Sequence, residues 1–242
     1  MHLNIRLIST AFLLLLIPFA FYLSGWYWKN DSEFSYTILI ILYFITETGS
    51  IPTAVIISFL LTFCLWRKLG KHHTWLILAL SIISMTTTQI TKSLLKNHFA
   101  EPRPYIAAMH QYDKTAIKKF YMSNKTQQQQ EVATYYLHFD HKIPHLLTQH
   151  RIKEVAYRFP SGHTIFVASW AFLFIALLPR KKISYFVIIW AALVMASRVL
   201  LGMHTPSDLA ASVLLALLIN WLLLWGFFSI IQSKNNFNLH YQ

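Results

Sequence analysis

The chain has 242 residues, of which 55% are apolar or aromatic and only 12% are charged. Soluble domains carry about 25% charged residues, and disordered chains combine low hydrophobicity with high charge, so neither class fits. The net charge of +12 is typical of nucleic-acid binding. Here, however, the cations lie in short clusters between apolar runs and not on one soluble face. We therefore expect no nucleic-acid partner and a chain that lies in a lipid bilayer.

Long runs with few or no charges recur along the chain, and each is long enough to cross about 30 Å of hydrocarbon as a helix. The shorter stretch 34–46 fits a short helix at the membrane interface. The first run is too long for a signal peptide and lacks a small-residue cleavage site, so we expect a retained span. The fold class is predicted to be all-α, an integral membrane bundle of six transmembrane helices. The predicted spans are 7–28, 48–66, 74–91, 159–179, 183–203 and 209–233.

Lysine and arginine in the short loops predict the orientation of the bundle. The loops 67–73 and 180–182 are basic, whereas 29–47 is mixed in charge and 203–207 has no Lys or Arg. Because basic loops stay in the cytoplasm, both termini are predicted to be cytoplasmic.

The polar stretch 97–158 is too long for a plain connector and falls on the outer side in this topology. Runs 113–122 and 131–139 have weak helical patterns, which indicates a small helical cap inserted between the third and fourth spans. The predicted organisation is spans one to three with the interfacial helix in 1–96, the cap in 97–158, spans four to six in 159–233 and a cytoplasmic tail in 234–242.

Three short motifs lie near the ends of the predicted spans, and the topology brings all of them to the outer membrane face. The first runs from Lys96 to Pro104 and contains Arg103. The second is Pro160-Ser161-Gly162-His163, and the third runs from Ser197-Arg198 through His204 to Asp208.

The cations of these motifs predict a phosphate site. Lys96, Arg103 and Arg198 lie at or near membrane depth, where ionisable groups are costly and are functional candidates by default. Arginine matches phosphate oxygens bidentately, and lysine acts as a point charge. Ser161 and Gly162 open a helix, whose free N–H groups bind anions.

Two histidines complete the predicted chemistry. His204 precedes Asp208 by four residues, so the two share a face if the helix already runs through them. Alternatively the helix begins at Pro206, with Thr205 as its N-cap. In either geometry the carboxylate can orient the imidazole, whose other nitrogen can attack phosphorus. His163 can protonate the leaving oxygen.

The motifs resemble the signature K-x6-R-P, P-S-G-H, S-R-x5-H-x3-D of the type 2 phosphatidic acid phosphatase family, and all three parts match. The resemblance implies that His204 is the nucleophile that forms a phosphohistidine, that Asp208 orients it and that His163 is the acid. It implies no metal and no cofactor. The residues that bind the phosphate would be Lys96, Arg103, Ser161, Gly162 and Arg198.

By the same resemblance, the substrates are membrane phospholipids or polyprenyl phosphates, such as phosphatidylglycerophosphate and undecaprenyl diphosphate. The active site would face the periplasm from the bacterial inner membrane. Three alternatives remain: a dedicated undecaprenyl diphosphate phosphatase, a lipid phosphotransferase and an anion transporter. No inverted repeat of the kind common in transporters is visible in the sequence.

Several residues near the motifs have open roles. Glu154 can act as an accessory group, polarising His163 or contacting a lipid head group, or it can be an ordinary solvated acid. Lys92 fits no motif position and is expected to snorkel or to line the pocket wall.

Glu47 is expected at the interface, and the apolar flank 165–176, with the inserted region, is expected to form the lipid access gap. The cap histidines His138, His141, His145 and His150 resemble metal spacing but fit surface positions better.

Overall fold

The computed structural model describes residues 2–29, 34–70, 74–137 and 143–239, and within these ranges the chain is helical without strands. This confirms the predicted all-α class. The helices are α1 (His2–Leu23), α2 (Tyr36–Glu47), α3 (Thr53–Leu69), α4 (Thr74–Phe99), α5 (Pro104–Met109), α6 (Lys114–Met122), α7 (Lys125–Leu137), α8 (His145–Lys153), α9 (Gly162–Leu177), α10 (Lys182–Leu200) and α11 (Pro206–Leu239).

Four of the described helices, α1, α4, α10 and α11, are long and apolar enough to cross a membrane. Helices α3 and α9 have 17 and 16 residues, and α2 has 12. The chain is therefore a membrane helix bundle in which some apolar helices are shorter than the 20 or so residues that a full span ordinarily requires.

Helix α9 is the centre of the bundle. Every residue from His163 to Ala176 is buried, and α1, α3, α4, α10 and α11 pack around it. A helix that is apolar on all faces is expected in such a position. A buried polar network also joins three of these helices, because Ser84 donates to Asn220 over 2.6 Å and Asn220 donates to Ser169 over 3.0 Å.

Several helix ends differ from the predicted boundaries. Helix α1 ends at Leu23 and not near residue 28, because Gly25 has a φ of +63° and the Trp26 N–H returns to Phe21; this arrangement closes a helix. Residues 48–52 form a turn between α2 and α3. Helix α4 extends beyond residue 91 to Phe99, so Lys96 lies on its last turn.

The inserted region forms a cap of short helices, α5 to α8; α6 begins one residue after the predicted run 113–122, whereas α7 begins six residues before the predicted run 131–139. Its core includes Tyr105, Phe120 and Leu147. The buried guanidinium of Arg151 lies 5.4 Å from the centres of the Trp28 and Tyr105 rings. This contact joins the cap to the loop that follows α1 and helps to fix α8 over one end of the bundle.

Candidate active site

A cavity of about 810 Å³ lies between the cap and the ends of α2, α4 and α9. Its lining includes groups from all three motifs: Lys96, Arg103, Gly162, His163 and His204. The motifs, which lie up to about a hundred residues apart in sequence, thus meet at one place. The other predicted motif residues, Ser161, Arg198 and Asp208, are fully buried and are not among the lining residues.

The carboxylate of Asp208 faces one nitrogen of His204. Helix α11 begins at Pro206, and Asp208 Oδ2 accepts a hydrogen bond of 2.8 Å from the Thr205 N–H. Of the two geometries left open by the sequence, the structure has the one in which Thr205 precedes the helix. Asp208 Oδ2 lies 3.5 Å from His204 Nδ1, which is longer than an ordinary hydrogen bond. Because Nδ1 faces the carboxylate, Nε2 is the nitrogen available to a ligand.

His204 is a neutral imidazole at physiological pH. Burial lowers its pKa to about 3, and Arg103 and Arg198 lower it further while Asp208 opposes them. A neutral imidazole with a proton on Nδ1 carries a lone pair on Nε2, which is the requirement for nucleophilic attack.

Glu154 lies between two of the arginines. Its Oε2 is 2.6 Å from Arg103 Nη2 and 3.6 Å from Arg198 Nη2. Burial alone would raise the pKa of Glu154, but the two guanidinium groups lower it well below its usual value. The carboxylate is therefore ionised, and it shows that an anionic oxygen is stable between Arg103 and Arg198.

Arg198 is held by groups from two other helices. Its Nη1 donates to Thr46 Oγ1 over 3.0 Å and lies 2.9 Å from His150 Nε2. Its Nε and Nη2 are buried and have no hydrogen-bond partner among the described residues. Buried donors of this kind are costly, so this side of the guanidinium is suited to an anion.

The start of α9 lies beneath Lys92. Ser161 is the N-cap of α9, and its hydroxyl accepts from Thr164 N over 3.3 Å. A Cβ atom at position 162 would lie 2.7 Å from the Lys92 Cδ, so glycine permits the close approach of this side chain. Lys92 lines the cavity wall, one of its two expected positions, and its Nζ donates to Gln89 over 2.6 Å.

The turn between α2 and α3 packs directly against His163. Ser50 Oγ lies 2.8 Å from His163 Nε2. A Cβ atom at Gly49 would lie 2.8 Å from His163 Cδ2, so a larger residue at this position would displace the ring. The turn therefore sets the orientation of the imidazole that the sequence predicts as the acid.

Comparison with known proteins identifies the family. The profile of the PAP2 superfamily matches residues 74–232, which contain all three motifs. The chain belongs to this superfamily. It is 35% identical to phosphatidylglycerophosphatase B of Haemophilus influenzae over 239 residues, which cover 95% of this chain and 96% of the relative. It is also 35% identical to phosphatidylglycerophosphatase B of Escherichia coli over 218 residues, which cover 88% of this chain and 83% of that relative.

These relationships make the PAP2 protein a lipid phosphatase and confirm the predicted family. Of the two parts expected to form the lipid access gap, 165–176 is enclosed in the bundle of this PAP2 chain and contributes only Phe166 to the cavity lining, whereas the inserted region contributes Lys125, His145 and Leu146. The cavity also continues along α3 and α4, where Val55, Ser58 and Met85 line it.

The sequence did not assign four residues to the candidate site of this PAP2 chain: Glu47, Ser50, His150 and Arg158. Glu47 lines the cavity and contacts His150, so it is not simply an interfacial acid. His150 is buried and contacts Arg198, so it is not a surface histidine. Arg158 contacts Asp208, and its position two residues before Pro160 was the one signal that could have drawn attention to it.

No metal centre is found in the described part of the PAP2 chain. Within it, no group of three or more His, Cys, Asp or Glu side chains is placed to hold an ion. Two of the four cap histidines, His138 and His141, lie outside the described residues. Of the other two, His145 lines the cavity and His150 is engaged by Glu47 and Arg198.

Proposed function

We propose that this enzyme removes the terminal phosphate of a lipid phosphate, through a phosphohistidine at His204, at the outer leaflet of a bacterial inner membrane. The observation that supports the proposal most strongly is the single cavity that Lys96, Arg103, His163 and His204 share. Such a convergence of cations and imidazoles has the chemistry required for phosphoryl transfer.

The phosphate would lie where the Glu154 carboxylate now contacts Arg103 and Arg198. A phosphate carries more negative charge and more acceptor oxygens than a carboxylate, so it can displace Glu154 from the two guanidinium groups. Lys96 lines the same cavity wall, where a bound phosphate would stabilise the charged form of its amine. The Ser161 N–H already donates to Ser212 Oγ over 2.8 Å, so the N–H groups of Gly162 and His163, at the start of α9, would be the further donors to the phosphate.

In the first step, Nε2 of His204 attacks phosphorus. A P–N bond forms, the P–O bond to the lipid breaks, and the leaving oxygen takes a proton from His163, which holds that proton as an imidazolium once the anionic lipid phosphate is bound. Asp208 faces Nδ1 of His204, so it stabilises the positive charge that the imidazole acquires. Lys96, Arg103 and Arg198 stabilise the charge on the transferring phosphoryl group.

In the second step, water attacks the phosphohistidine. His163 accepts a proton from that water, the P–N bond breaks, and inorganic phosphate leaves with both electrons of the bond remaining on His204 Nε2. The enzyme returns to its starting protonation state, and the chain's own residues supply every proton transfer that the two steps require.

The lining of the cavity fits a substrate whose tail remains in the bilayer. Ile51, in the turn before α3, and Val55, on the first turn of α3, line the cavity, and 83% and 48% of their surfaces are exposed. An apolar, exposed margin beside a cationic site suits an anionic head group on a lipid tail. Candidate substrates are phosphatidylglycerophosphate, which the names of the relatives indicate, and undecaprenyl diphosphate and phosphatidic acid.

We further propose a six-span topology in which α1, α3, α4, α9, α10 and α11 cross the membrane. The cap at 97–158 would be periplasmic, 1–96 and 159–233 would hold the spans, and both termini, with the tail 234–242, would be cytoplasmic. Alkaline phosphatase fusions test this arrangement. A fusion at position 125 should be active and fusions at positions 70 and 182 inactive; the reverse pattern would contradict it.

The function itself is tested by phosphate release from a panel of lipid phosphates. Purified full-length protein should release inorganic phosphate from at least one lipid phosphate in mixed micelles. Comparison of kcat/KM across phosphatidylglycerophosphate, undecaprenyl diphosphate and phosphatidic acid identifies the preferred substrate. If well-folded protein releases no phosphate from any of these lipids, the proposal is refuted.

A further inference from the structure

His150 of α8 connects α2 to the guanidinium of Arg198 on α10. Its Nε2 lies 2.9 Å from Arg198 Nη1, and its Nδ1 lies 3.2 Å from Glu47 Oε2. The side chain is only 5% exposed. Three helices that are distant in sequence therefore meet through one buried imidazole.

The partners of His150 determine which of its nitrogens carries the proton. A guanidinium can only donate hydrogen bonds, so the Nε2 that faces Arg198 must carry a lone pair. The proton is then on Nδ1, where it is donated to the Glu47 carboxylate. His150 is thus a neutral imidazole in a single tautomer, and Glu47 is the group that fixes it.

We propose that His150 is a positioning residue of the phosphate site, which orients Arg198 for a lipid phosphate while Glu47 holds the required tautomer. This inference rests on the function proposed above. His150 and Thr46 occupy Nη1 of Arg198. The two donors that lack hydrogen-bond partners among the described residues, Nε and Nη2, lie along one edge of the guanidinium, the arrangement that binds two oxygens of one anion.

The charges around His150 make its role dependent on pH. Glu47 and Tyr43 of α2, Arg198 of α10 and His163 of α9 face the ring, and Glu154 lies just beyond α8. Burial lowers the pKa of His150, Glu47 opposes this by raising it, and Arg198 lowers it further. The ring therefore accepts from Arg198 at neutral pH. Protonation of His150 Nε2 in acid turns this acceptor into a donor, so His150 no longer accepts the hydrogen bond that orients Arg198.

Two substitutions at position 150 distinguish a role of His150 in orienting Arg198 from a role in packing alone. His150→Gln retains an acceptor that can reach Arg198, whereas His150→Leu has none. We expect His150→Leu to weaken binding of inorganic phosphate, measured by isothermal titration calorimetry, by about tenfold to a hundredfold, the effect of losing a hydrogen bond to a charged group. The kcat/KM for the lipid phosphate should fall in parallel.

We expect His150→Gln to restore most of this loss and to bind inorganic phosphate with an affinity that falls less steeply than that of the wild type on acidification. The matched control is His110→Gln, because His110 of the cap also lies beside a carboxylate, 3.4 Å from Glu131, but away from the cavity. This control should bind phosphate like the wild type.

Equal phosphate affinity in the wild type and a folded His150→Leu variant would overturn the inference, and so would equal losses in His150→Leu and His150→Gln. If His150→Leu does not fold, Glu47→Ala gives the test: weaker phosphate binding supports the inference and unchanged binding refutes it. If the wild type releases phosphate from lipid and His150→Leu behaves identically, only this inference is refuted. If the wild type neither binds phosphate nor releases it from lipid, both proposals are refuted.

Discussion

Arg158 and Asp208 form a direct ion pair in which Arg158 Nη1 donates to Asp208 Oδ1. The same guanidinium donates to Thr205 Oγ1 over 2.6 Å and to the Pro102 carbonyl over 2.9 Å. One side chain just before α9 thereby joins the first motif to the third. Since the other oxygen of Asp208 faces His204, Arg158 fixes the carboxylate that orients the proposed nucleophile.

The first prediction is that Arg158→Lys lowers kcat by about tenfold to a hundredfold, because a lysine cannot make the several directed contacts of this guanidinium. Binding of inorganic phosphate should change little, since Arg158 contacts Asp208 and not the proposed phosphate position. Steady-state kinetics and calorimetry on purified protein measure the two effects. Arg180→Lys, at an exposed position between α9 and α10, is the control and should retain wild-type kcat; an unchanged kcat in Arg158→Lys would contradict this role.

The class of fold could be predicted, and the motif residues could be singled out as candidates, because both depend on local patterns. Long apolar runs identify membrane helices from composition alone. The paired motif residues are also close in sequence, with Lys96 seven positions before Arg103 and His204 four positions before Asp208. The ends of α1 and α3 were missed because they depend on local backbone geometry. For example, the positive φ of Gly25 closes α1 five residues earlier than its apolar run ends.

The remaining residues of the site could not be predicted because their roles exist only after packing. Glu47 and His150 are 103 residues apart, and Ser50 and His163 are 113 apart. No spacing rule connects such pairs. His150 was expected at a surface because it is a polar residue in a polar stretch, yet the packing of α8 against α2 and the contact with Arg198 of α10 bury it.

The second prediction concerns acid stability and Glu154. Because Arg103 and Arg198 hold the pKa of Glu154 well below its usual value, the unfolded state binds a proton near pH 4.3 while the folded state does not. The stabilisation is therefore present above that pH and is lost as the pH falls towards the pKa of the folded state. Thermal unfolding of Glu154→Gln should show a shallower decline of Tm with acidification than the wild type.

The control for Glu154 is Glu131→Gln, in the cap and about half exposed, which should decline with acidification as the wild type does. If Glu154→Gln and the wild type show the same dependence of Tm on pH, the ion pair of Glu154 with Arg103 does not contribute in the way the structure indicates.

The third prediction is that phosphate release survives exhaustive chelation with EDTA. The proposed steps use imidazoles and cationic side chains, and the described residues include no carboxylate cage of the kind that a shared Mg²⁺ requires. Activity is compared before and after EDTA and again after addition of Mg²⁺. A loss on chelation that Mg²⁺ restores would indicate a metal-dependent mechanism and would refute the proposed one.

The central claim is that His204 carries the phosphoryl group during the reaction. The most direct measurement is to mix purified protein rapidly with a lipid labelled in its terminal phosphate and to quench the reaction without acid. We predict that the protein becomes labelled at His204 and that the label is stable in alkali and labile in acid. Folded His204→Ala should show no label and no phosphate release, while Asp208→Asn should retain a reduced amount of both. Near-normal phosphate release by folded His204→Ala would contradict the account.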